Sequence, residues 1–184
     1  MEFRLTYEGR MASGASASAK HKHDIRRVLH RQLSKLWDSH PYFKDSAPWT
    51  YKDAQANRGA SRKEQLAEKF SLYGYQFVPV VLSELLVFCS LDILFLRPDP
   101  PGQLLRSGDL DNRLKTLFDS LKLPGSAQDL GGYDAPQANE TPFFVLLEDD
   151  RLVTRVSVET DRHDACVAHS FPLSTIRIRF SPVV

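Results

Sequence analysis

The stretch Asp109-Leu110-Asp111-Asn112-Arg113-Leu114-Lys115-Thr116-Leu117-Phe118-Asp119-Ser120-Leu121 sets two carboxylates one residue apart and follows them with a helical pattern. Leu114, Leu117, Phe118 and Leu121 recur at the spacing of one apolar stripe. The pattern predicts a helix from about Asn112 to Lys122, stopping before Pro124-Gly125. Lys115 follows Asp111 by four positions and shares its flank. If Asp109 and Asp111 sit in an extended segment feeding the helix, their side chains point the same way and present two oxygens side by side.

A second acidic group, Glu148-Asp149-Asp150, closes the apolar run Phe143 to Leu147. Hard cations such as Mg²⁺ take oxygen ligands and keep several waters, so two or three carboxylates suffice. Asp109, Asp111 and Asp150 are the candidate ligands. Asp149 competes with Asp150 for the third place, and Glu148 has the less favoured parity. Crowded carboxylates repel, and a cation relieves that repulsion. A metal so held activates water and neutralises charge on a phosphate, with Lys115 adding a fixed positive charge. The plainer alternatives are an N-cap at Asp111, a salt-bridged edge of Asp111, Lys115 and Asp119, and an acidic turn at 148–150. A lysine in the first helical turn opposes the helix dipole, a small cost that a functional role would explain.

Outward from this stretch the elements alternate. Glu2 to Tyr7 reads as a half-buried strand and Gly9 to Ala19 as a mobile loop. Asp24 to Trp37 is an amphipathic helix, with Ile25, Val28, Leu29, Leu33, Leu36 and Trp37 on one face and Asp24 as its N-cap. Its other face, with the residues just before it, carries Lys20, Lys22, Arg26, Arg27, Arg31 and Lys35. These six are candidate phosphate contacts, or else a solvated face. Tyr42, Phe43, Trp49 and Tyr51 lie in an irregular segment, where aromatics stack on bases or tie a loop to the core. Ser61 and Glu64 form a capping-box signature. Phe77 to Leu82, Leu85 to Leu96, Phe143 to Leu147, Leu152 to Glu159 and Thr175 to Phe180 read as strands, the second apolar on both parities and therefore central. Asp92 is its odd member, read as a side chain reaching an edge or backbone partner. The prolines from Pro98 to Pro101 end that strand. The expected fold is α+β: a mixed, largely antiparallel β-sheet with helices packed on one side.

The chain has 184 residues and a net charge of +1, which suits one domain (1–184) and gives no global basic field. Its two cysteines, Cys89 and Cys166, make no disulfide framework and no CxxC zinc site, and are expected as buried thiols in a reducing cytoplasm. No apolar run reaches the length of a membrane span. The first residues carry Glu2 and Arg4 and no long apolar core, so no secretory signal is expected.

The set Asp109-Leu110-Asp111-Asn112, Lys115, Asp119 and Leu121, followed by Asp149-Asp150 and the strand Leu152 to Val158, resembles the RusA family of Holliday junction resolvases. The correspondence covers about Leu85 to Glu159. The resemblance implies a RusA-like fold with inserted loops at 40–74 and 124–142. It also implies a homodimeric, Mg²⁺-dependent endonuclease (Mn²⁺ as a substitute) that resolves branched DNA by paired nicks in recombination and repair, in a bacterial or phage-borne setting. Carried onto this chain, Asp109, Asp111 and Asp150 are metal ligands and Lys115 is the catalytic lysine. A two-fold dimer presents two identical sites to a substrate with its own two-fold symmetry. The alternatives are a related structure-specific, single-strand or RNA nuclease, and a non-catalytic nucleic-acid-binding protein on the same fold.

Overall fold

The computed structural model describes residues 2–13, 16–44, 61–85, 87–97, 109–162 and 173–182. Trp49, Tyr51, Cys166 and the prolines Pro98 to Pro101 lie outside the described residues. Among the described residues seven strands and four helices follow in the order β1 (Glu2–Glu8), α1 (Ala19–Ser39), α2 (Pro41–Lys44), α3 (Arg62–Lys69), β2 (Ser71–Leu72), β3 (Tyr75–Val81), β4 (Val87–Arg97), α4 (Asp109–Leu121), β5 (Phe143–Leu147), β6 (Val153–Arg162) and β7 (Leu173–Pro182). The fold is α+β, as the alternation of patterns predicts.

The strands form two sheets where the sequence suggested one. The larger has the order β1-β7-β4-β6 and the smaller β2-β3-β5. β4 is central, antiparallel to β7 and parallel to β6. Register aligns Leu5, Ile176, Ile93 and Val158 in one row and Phe3, Ile178, Leu91 and Val156 in the next. In these rows Leu5, Leu91 and Ile93 are buried. β3 and β5 are parallel, and β2 pairs only with Gln76 and Tyr75. Pro79 fits within β3 because the short β2 leaves that side of the strand without a ladder to break. Periodicity marks the strands but is silent on which strand each one pairs with, and that decides one sheet or two.

A two-residue turn at Tyr73-Gly74, with φ of 52° and 82°, joins β2 to β3. Both angles are those of a hairpin turn whose twist matches the strands, and the second falls on glycine.

α1 lies against both sheets, contacting β1 and β5. It buries Ile25, Leu29, Leu33 and Trp37. α4 buries Leu117 and Leu121 in the same cluster, with Leu114 and Phe118 packed against it. The apolar stripe read from 114–121 is the stripe that faces the core. α1 also seals one sheet edge. The Gln32 amide donates to the Thr6 carbonyl at 2.7 Å and its Oε1 accepts from the Thr6 N–H at 2.9 Å, so the side chain stands in for a neighbouring strand on β1.

Two helix starts differ from expectation. α1 begins at Ala19 with Ser18 as its cap, accepting from the His21 N–H. Asp24 lies inside the helix and bonds Lys20 and Tyr133. The stretch read as a mobile loop is tethered in part: Met11 and Ala12 are buried, and the Ala12 N–H donates to His21. The capping box of Ser61 and Glu64 is formed as read. Phe43 is buried and stacks on Trp37, whereas Tyr42 is exposed. Cys89 is a buried thiol, pushed up to about 12 by burial. Asp92 reaches Arg155 on edge strand β6 at 3.8 Å.

Candidate functional site

α4 is helical from Asp109 onward, earlier than the pattern suggested. Asp109 and Asp111 therefore occupy the first helical turn, not an extended segment. Positions two apart on a helix are about 200° apart, so the side-by-side presentation expected of them does not follow from this backbone. The Asp109 side chain is outside what the structure describes.

The described motif residues share one flank of α4. At about 100° per residue, Asp111, Lys115 and Asp119 fall within about 80° of one another, and Lys122 follows just past the helix end. Asp111 and Lys115 are exposed, and neither has an ion-pair partner among the described residues. The i, i+4 salt bridges that their spacing permits are thus not made. Asp111 is also not the N-cap, since the helix starts two residues before it.

Asp119 is engaged by lysines on both sides, Lys22 at 2.7 Å and Lys122 at 3.8 Å. Lys122 also bonds Asp150 at 2.7 Å. That hydrogen bond, joined by the field of Asp150, Asp119 and Asp149, holds the Lys122 ammonium above its ordinary range. Asp150 is therefore tied to the C-terminal end of α4. Asp111 stands in the first turn, about 15 Å along the helix axis from Leu121, the last residue of α4. Among the described residues no group of three metal-ligating side chains forms. At this end of the helix Lys22 and Lys122 offset the charge of Asp119 and Asp150.

The rest of the second acidic group has structural partners. Asp149 caps the turn at 150–152, accepting from the Arg151 N–H and Nε. Those bonds hold its carboxyl below the usual range. Glu148 accepts from the N–H and hydroxyl of Ser83. A cavity of 520 Å³ opens here, lined by Lys22, Arg26, Asp119, Lys122, Glu148 and Asp149 among others.

Most of the cations expected to meet phosphate are spent inside the molecule. Arg26 is 2% exposed. Its guanidinium donates to the carbonyls of Asp119, Lys122 and Asp129 and contacts His23. Arg27 bonds Glu140 at 2.5 Å, with both groups largely buried. Burial alone would raise the Glu140 carboxyl, but the hydrogen bonds from Arg27 and Gln137 outweigh it and hold it low. Lys20 pairs with Asp24 and with the Tyr133 hydroxyl, and Lys22 with Asp119. Arg31 and Lys35 alone of the six are exposed without an ion-pair partner among the described residues.

The partner of this helix face is the segment 124–142, read from sequence as an inserted loop. It forms a strap across α1. Tyr133, Asn139 and Glu140 bond Asp24, His30 and Arg27 respectively. Leu130 is buried, and Gly131 sits against the backbone of Ala19 and Lys20. His30 donates through Nε2 to the Asn139 carbonyl, because Nδ1 accepts the Phe144 N–H. The basic face is thus largely an internal interface, and no periodicity could have revealed what covers it.

Comparison of the chain with protein-family models, curated proteins and solved structures gave no match. Among the described residues no helix is long and apolar enough to cross a membrane.

Proposed function

We propose that this chain is an endonuclease acting on branched DNA in the manner of the RusA resolvases, with Asp109, Asp111 and Lys115 at the head of α4 as its working groups. What supports the reading is the state of Asp111 and Lys115. Two opposite charges one turn apart, exposed and unpaired among the described residues, are available to a substrate or a metal. Mg²⁺, with Mn²⁺ as a substitute, is the cofactor this reading carries, and a homodimer the assembly. Asp150 belongs to the site only if it leaves Lys122.

The deciding experiment incubates the chain with a synthetic four-way junction and Mg²⁺, alongside flap, single-stranded and RNA substrates. Junction cleavage that chelator abolishes, and that Asp111→Asn lowers by about 100-fold or more, supports the proposal. Full activity in Asp111→Asn or in chelator overturns the mechanism.

The pairing of Asp150 with Lys122 favours one second reading, binding of nucleic acid without cleavage. Tight, salt-sensitive binding to the same junction with no product at any Mg²⁺ concentration selects it.

A further inference from the structure

β6 is the last strand of the four-stranded sheet and pairs with β4 on one side; among the described residues no strand pairs with its other side. Such a border presents backbone donors and acceptors to a newcomer. No residue from Val153 to Asp161 is buried. Val156 is 43% exposed, although its register neighbour on β4, Leu91, is buried. Apolar surface is thus left open where the border is open.

The residues of the strand say what fits there. Thr154-Arg155-Val156-Ser157-Val158-Glu159-Thr160 reads the same in both directions, except that Arg155 in one direction meets Glu159 in the other. Antiparallel strands set residues directly opposite one another, and a two-fold axis at Ser157 sets each residue against its mirror position. Thr154 then faces Thr160, Arg155 faces Glu159, Val156 faces Val158, and Ser157 faces itself. Threonine pairs, β-branched pairs and opposite charges all stabilise neighbouring strands. The two faces sort as well. Alternation puts Val156 and Val158 on the side of Leu91 and Ile93, and Arg155 and Glu159 on the other. Both charged groups are exposed, and Glu159 has no ion-pair partner among the described residues. Arg155 touches Asp92 loosely, at 3.8 Å. Neighbouring axes fit less well. An axis at Val156 sets Arg155 against Ser157 and Glu159 against Val153. An axis at Val158 gives Arg155 an acid, Asp161, but sets Glu159 against Ser157 and Val156 against Thr160.

We propose that β6 is a homodimer interface: a second copy of this chain pairs antiparallel with Thr154–Thr160 about a two-fold axis at Ser157 and continues the four-stranded sheet. This surface serves the homodimer of the nuclease reading, and the pairing holds whether or not the chain cuts DNA. The contact is short and bounded by one strand on each copy, so a dissociation constant in the micromolar range is expected.

The test is sedimentation equilibrium of the full chain across the micromolar range. Arg155→Glu sets carboxylates against each other across the axis, and Glu159→Arg sets guanidinium groups against each other. Each is expected to weaken the dimer about tenfold or more, since the axis makes the pair occur twice. Mixing the two variants restores both opposite-charge pairs and is expected to give a heterodimer of wild-type affinity. Ser157→Cys is expected to link two copies by a disulfide under oxidised glutathione, beyond any link in the wild type. Thr154→Cys is not, because its counterpart lies about 20 Å away along the strands. A wild type that stays monomeric overturns the proposal, as does a dimer that the charge reversals leave unchanged or that mixing fails to restore. Equal linking through Thr154→Cys and Ser157→Cys overturns it too. Circular dichroism checks the fold of each variant, and the cysteine pair decides if a charge variant is unfolded. Junction cleavage is measured on the same samples. A β6 dimer that never cuts keeps the interface and loses the nuclease. A chain that cuts without pairing through β6 does the reverse.

Discussion

The Arg26 guanidinium donates through Nη2 to the carbonyl oxygen of Asp119 at 2.7 Å, so α1 closes the C-terminal end of α4. Helix ends leave carbonyls without intrahelical donors, and a buried end must find them elsewhere. From about half the chain's length away, Arg26 supplies them to Asp119 and Lys122 together. Burial lowers this guanidinium to about 10, a value at which it is still charged at neutral pH. Arg26→Met leaves those carbonyls unsatisfied and is expected to cost about 3 kcal/mol in urea unfolding, with an unchanged denaturant slope.

Acid should loosen the interface between α1 and the strap. Burial, with Arg26 and Arg27 nearby, lowers His23 to about 4, and burial lowers His30 as well. An unfolded histidine takes up its proton near pH 6.5, so between about 6.5 and 4 the unfolded chain binds more protons than the folded one. Stability is therefore fully present above pH 6.5 and falls as the pH drops toward 4. The loss from His23 is on the order of 3 kcal/mol. The depressed carboxyls of Asp24 and Glu140 act in the same direction at lower pH. Unfolding midpoints measured from pH 8 to pH 4 check the slope. His23→Phe should flatten its upper part.

Gly131→Ala tests the close approach of the strap. Gly131 has φ of 66°, and a Cβ there would run into the backbone of Ala19 and Lys20. Neither backbone strain nor the clash has a cheap escape, so a loss of about 2 kcal/mol is expected. Gly132, also at positive φ (89°), has open space around it. Gly132→Ala should therefore cost less, through strain alone. Thermal melts of the two variants side by side give the comparison.

Arg31 and Lys35 are the exposed pair left on α1 for a polyanion. Replacing both by alanine is expected to reduce the slope of log affinity against log salt for duplex DNA by about 2. Lys20→Ala, whose cation already has Asp24 and Tyr133, should change the slope less. Fluorescence anisotropy at four salt concentrations measures both.

The strands and helices were legible because their signals are local. Leu5, Leu91, Ile93 and Phe95 alternate, Leu117 and Leu121 repeat at helical spacing, and Ser61 with Glu64 announces a helix start three residues ahead. What stayed hidden depends on partners distant in sequence. Asp119 could have been read as a salt bridge to Lys122, three residues on, but nothing local pointed to Lys22 or Asp150. Arg26 and Arg27 look like solvent-facing cations until Glu140 and the carbonyls of Asp119 and Asp129 are seen to cover them. The expected side-by-side placement of Asp109 and Asp111 was misread for a local reason as well. α4 starts early enough to take in Asp109 and Asp111, and a helical turn spreads what an extended segment would have aligned.

The Gln32 clamp on Thr6 has a consequence for self-assembly. A strand added beside Thr6 would have to displace the Gln32 amide from its N–H and carbonyl, a cost that a newcomer would not meet at a backbone with no such partner.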